Sequence, residues 1–66
     1  MNNVGISVGT MIKRLNGLTG TDELSPKDER FVESIVQDTK NGTYTSAVSE
    51  AQLKWIINLF NYHFAG

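Results

Sequence analysis

Cysteine is absent from this chain of 66 residues. No disulfide can form, and thiolate metal sites are excluded with it. A domain this short buries only about 60% of the surface that its unfolded chain exposes. Small scaffolds offset that deficit with disulfides, a metal, a partner subunit or close helix packing. For this chain, what remains is good helix packing or association.

An excess of charge of one sign is missing too. Six Lys and Arg stand against seven Asp and Glu, a net charge of −1. That balance argues against a dedicated nucleic-acid binder, whose footprint is a basic stripe. It argues equally against an acidic mimic of DNA. Long hydrophobic runs do not occur, the longest being pairs and triplets such as Trp55-Ile56-Ile57. A membrane-spanning helix needs about 20 predominantly apolar residues in succession. The opening MNNVGISVGT lacks the charged start and apolar core of a signal peptide. The expectation is a cytoplasmic protein with one domain over residues 1–66.

Proline occurs once, at Pro26, directly after Ser25. Serine as N-cap followed by proline at the first helical position is a strong start signal, because the missing proline N–H has no helical partner to lose. Asp28 and Glu29 follow in the first turn, where acids suit the helix dipole. Phe31, Val32, Ile35 and Val36 form one apolar stripe, and Asn41-Gly42 offers a left-handed stop. Upstream, Val8, Met11, Ile12 and Leu15 recur at helical spacing. Ser7 can cap that segment and Gly17 can end it, while Gly9 inside it lowers helix propensity by up to about 1 kcal/mol. Downstream, Ser49 and Gln52 stand in the capping-box relation, with Val48 and Leu53 at the positions of a hydrophobic staple. The fold class is therefore all-α, a small three-helix domain with helices over about 7–16, 25–40 and 49–64. Its expected core is Met11, Ile12, Leu15, Phe31, Ile35, Val36, Leu53, Ile56, Ile57 and Phe60.

The third helix is apolar on two sides. At about 100° per residue, Leu53, Ile56, Ile57, Phe60 and Phe64 share one face. Trp55, Leu59 and Tyr62 cluster on roughly the opposite side. Two explanations fit. The third helix can be central, with the second helix on one side and the first on the other. Alternatively, Trp55, Leu59 and Tyr62 are an open partner-binding face, for a second copy or a foreign protein. Tryptophan and tyrosine are favoured interface anchors.

Residues that would carry a reaction do not converge. The single histidine, His63, has no cysteine and no carboxylate near it in sequence, and a metal site needs three or four convergent ligands. Ser25, Ser34 and Ser49 are accounted for by capping or by a helix surface. GLTGT lacks the lysine of a phosphate loop. No catalytic residue, cofactor or metal is expected, and the chain reads as a non-enzyme. Nucleic acid is the alternative partner class. The third helix could lead with Ser49, Glu50 and Gln52 as in a helix-turn-helix. Single-stranded bases could instead stack on Trp55 and Tyr62, with Lys13 or Arg14 meeting phosphate.

The run LSPKDERFVESI, then Gly42, then VSEAQLKWIINLF resembles a helix–loop–helix segment of phage-type small accessory proteins associated with DNA replication and repair. That pattern has a phenylalanine in its first helix, a glycine, and a Leu-Ser-x-x-Gln start to the second. Phe31, Gly42, Ser49 and Gln52 occupy these places here, over a little more than half the chain. Val48 replaces the usual leucine, Ala51 the usual lysine, and the loop after Gly42 is longer. The resemblance implies a small accessory protein near DNA machinery. The expected function is a non-enzymatic protein-binding accessory or regulatory module, no membrane being involved.

Overall fold

The computed structural model describes residues 7–65. Residues 1–6 and Gly66, part of the expected domain, lie outside the described residues. Three helices follow in order: α1 (Val8–Asn16), α2 (Pro26–Thr39) and α3 (Glu50–Phe60), the last running into a π-helical turn (Asn61–Ala65). No strand occurs among the described residues. The radius of gyration is 10.9 Å, close to the roughly 11 Å of a closed globule of this length. The helices therefore fold onto one another.

Each start is held by the serine expected from the sequence. The N–H of Thr10 donates to Ser7 Oγ at 3.1 Å, and that of Asp28 to Ser25 Oγ at 3.2 Å. The capping box of α3 closes in both directions, Gln52 N–H to Ser49 Oγ and Ser49 N–H to Gln52 Oε1. The helix ends differ more from expectation. Gly17 caps α1 in an ordinary right-handed conformation, so its glycine freedom is not what ends the helix. The left-handed stop of α2 begins one residue early. Lys40, Asn41 and Gly42 all have positive φ, 50°, 58° and 88° in turn. The Asn41 N–H donates to Val36 O, and the Tyr44 N–H to Thr39 O.

Thr39 explains how that corner is held. It is polar yet only 1% exposed. Its hydroxyl donates to Ile35 O at 2.6 Å and accepts from the Gly42 N–H at 2.9 Å. A buried hydroxyl with both bonds made costs little, whereas an unmet one costs about 1–3 kcal/mol. So Thr39 ties the last turn of α2 to the left-handed corner.

That corner seats against α1. A Cβ on Gly9 would collide with the carbonyl of Gly42, and a Cβ on Gly42 would stand 2.9 Å from Gly9 Cα. The helix-weakening glycine is therefore a packing requirement. The close backbone approaches run from α1 to both α2 and α3. The third helix still meets both neighbours, α1 along its backbone and α2 through Trp55, and the contact of Gly9 with Gly42 adds the close seating of α1 on the α2 corner.

The core holds Met11, Ile12, Leu15, Leu24, Val32, Ile35, Ile56, Leu59 and Phe60. Phe31, Val36 and Ile57 pack against it while half-buried, and Leu53 is also only half-buried. The buried side of α3 is thus centred on Ile56 and turned toward Leu59, away from the expected Leu53–Ile57 side. Leu24, in a polar stretch just before the cap of α2, was not expected inside.

Candidate functional site

Trp55, Leu59 and Tyr62, placed on one face by helical spacing, meet three different fates. Leu59 is 7% exposed and belongs to the core. It is not available as a surface contact, which corrects its place in the expected open face. Trp55 is half-buried, its ring stacked on Phe31 with centroids 4.0 Å apart and planes 10° from parallel. Its Nε1–H donates to Asp28 Oδ1 at 3.1 Å, and the Lys27 ammonium lies 5.9 Å from the ring centroid. A stacked aromatic pair adds about 0.5–1.5 kcal/mol beyond its area burial. Most of what Trp55 offers is therefore spent on α2.

Tyr62 is the exception, at 80% exposure. It sits in the π-helical turn that follows Phe60, and its ring lies T-shaped to that of His63, at 4.9 Å and 88°. Phe64 was expected on the core face by continuing the α-helical period. It is 41% exposed instead, leaning on Phe60 at 5.1 Å between centroids. The wider i→i+5 turn shifts every later residue out of the α-helical phase. So the last helix runs out into a turn with Tyr62 largely in water, Phe64 partly covered by Phe60, and a half-buried histidine between them.

A second feature lies between α2 and the start of α3. Ile35, Asp38, Thr39, Ala47, Val48 and Gln52 line an open cleft of about 290 Å³. Ile35 is buried at its base, and Val48 packs on the core beside it. Asp38 is exposed, and its side chain makes no hydrogen bond or ion pair among the described residues. It stands in the last turn of α2, which holds no basic side chain. A carboxylate at the negative end of a helix dipole is unfavourable by about 0.3–1 kcal/mol. The next base, Lys40, is turned to Tyr44, its ammonium 5.4 Å from that ring centroid.

Metal chemistry finds no cluster. Among the described residues no group of three or more His, Cys, Asp and Glu converges. Nor is any described helix long and apolar enough to cross a membrane. Sequence reasoning missed the Asp28–Trp55 bond and the Asp38 cleft. The bonded pair is 27 residues apart and leaves no trace in spacing. An acid without a base in the last turn of α2 was the one legible sign of the cleft. No family model matches the chain, and no curated protein or solved structure matches it significantly.

Proposed function

We propose that this chain is a non-enzymatic protein-binding accessory or regulatory module whose contact surface is its C-terminal aromatic turn. The observation that carries the reading is Tyr62, a large ring left 80% exposed at the end of an otherwise packed helix. Phe64 widens the patch, and Trp55 and Leu59 hold the helix beneath it in place. Exposed aromatic rings on a rigid base are the usual anchors of protein interfaces, where truncating one weakens binding by about 2 kcal/mol or more. A phage-like setting near DNA machinery is what the sequence resemblance implies for the partner.

The test is photocrosslinking in the native cell, with p-benzoylphenylalanine at position 62 and, as control, at exposed Glu33. A discrete protein adduct from position 62, absent from position 33 and lost with Phe64→Ala, is expected. No adduct, or identical adducts from both positions, would sink the proposal. Binding to single-stranded DNA that weakens steeply with salt would point to the nucleic-acid class instead.

A further inference from the structure

We infer that the cleft between α2 and α3 is a receptor for an arginine side chain carried by a partner protein. The inference rests on the protein-binding reading above, but on a different surface of the molecule. At about 290 Å³ the cleft lies at the lower limit of ligand pockets, and it suits one long side chain better than a cofactor. Ile35, Ala47 and Val48 supply apolar wall for an aliphatic stem. Asp38 is the single charged residue of the lining.

Three observations give the occupant its sign. The Asp38 carboxylate has no cation of its own among the described residues. It stands at the negative end of α2, whose last turn carries no base. Lys40, the nearest base along the chain, is held over the Tyr44 ring. The one charge of the lining is therefore a carboxylate that no described cation pairs.

The other polar groups are largely committed. The Thr39 hydroxyl bonds Ile35 O and the Gly42 N–H, and Gln52 Oε1 accepts from the Ser49 N–H. An anion would meet Asp38 with no cation to offset it. A neutral apolar group would cover the carboxylate and leave it unpaired. A guanidinium satisfies Asp38 with two parallel N–H bonds, and it sheds water more readily than an ammonium. Its stem lies along the apolar wall as arginine stems do.

The experiment uses the full chain, labelled with nitrogen-15, titrated with the capped tripeptide Gly-Arg-Gly and followed by amide shifts. Saturable shifts are expected at Asp38, Thr39, Ala47, Val48 and Gln52. The citrulline tripeptide, equal in shape but uncharged, should bind at least about tenfold more weakly, as should the arginine peptide to Asp38→Asn. Ala47→Leu, a substitution at an exposed loop position, should block the cleft and abolish the shifts. Equal binding of the citrulline peptide, unchanged binding by Asp38→Asn, or shifts that never saturate would each overturn the inference. Tyr62→Ala should leave this titration unchanged. Failure of the aromatic turn as a contact surface and failure of the cleft are thus read separately.

Discussion

At the scale of single residues, this domain is held by a few positions where the obvious substitution has the wrong sign. Gly9 is one. Helix propensity says that Gly9→Ala should stabilise α1 by about 1 kcal/mol. The Gly42 carbonyl occupies the space that the new methyl needs, and overpacking of this kind typically costs about 1–3 kcal/mol. The net expectation is destabilisation, measured as a lower urea midpoint. A midpoint that rises would show that α1 and the α2 corner are not in backbone contact. Thr39 is the other. Thr39→Val keeps the shape but leaves the part-buried Gly42 N–H without its acceptor, and about 1 kcal/mol or more of stability should be lost. Thr39→Ser, which keeps the hydroxyl, should lose less. If serine and valine cost the same, the hydroxyl is not what holds the corner.

At the scale of elements, helix starts and the buried faces of α1 and α2 were legible, and the buried face of α3 was legible only in part. Ser7, Ser25 and Ser49 act within three residues of themselves, so local chemistry alone specifies them. The buried side of α3 depends on which neighbour it meets. Here α1 sits deep because Gly9 and Gly42 touch, and the packed arc of α3 turns toward Leu59. The two faces inferred for this helix merge into one broad arc, with Trp55 at its margin against Phe31. The π-helical turn was illegible for a related reason: period counting assumes an unbroken α-helix, and Phe64 follows a different period. Asp38 belongs to this scale as well, since its cost comes from the α2 dipole. Asp38→Asn should raise stability by about 0.3–1 kcal/mol, a few degrees in the melting temperature of a domain this size. A lower melting temperature would mean that Asp38 has a stabilising partner within the fold.

At the scale of the whole molecule, the question is whether one chain suffices to cover its own apolar surface. With no cysteine and a core of nine apolar side chains among the described residues, the domain has little margin, and association was an open route to stability. The structure closes most of α3 from within: Leu59 and Phe60 are buried, and Trp55 is stacked and hydrogen-bonded to α2. What a single chain leaves uncovered among the described residues is the aromatic turn, with Tyr62 and Phe64, and Tyr44 in the loop after α2. Trp55, the only tryptophan, reports on this directly. The decisive measurement is its fluorescence emission over a wide dilution series. Emission blue-shifted from that of a free indole, and unchanged from the most concentrated to the most dilute sample, is the predicted result. Emission that moves to the wavelength of a water-exposed indole on dilution would contradict it, because Trp55 would then be covered by a second copy and not by Phe31.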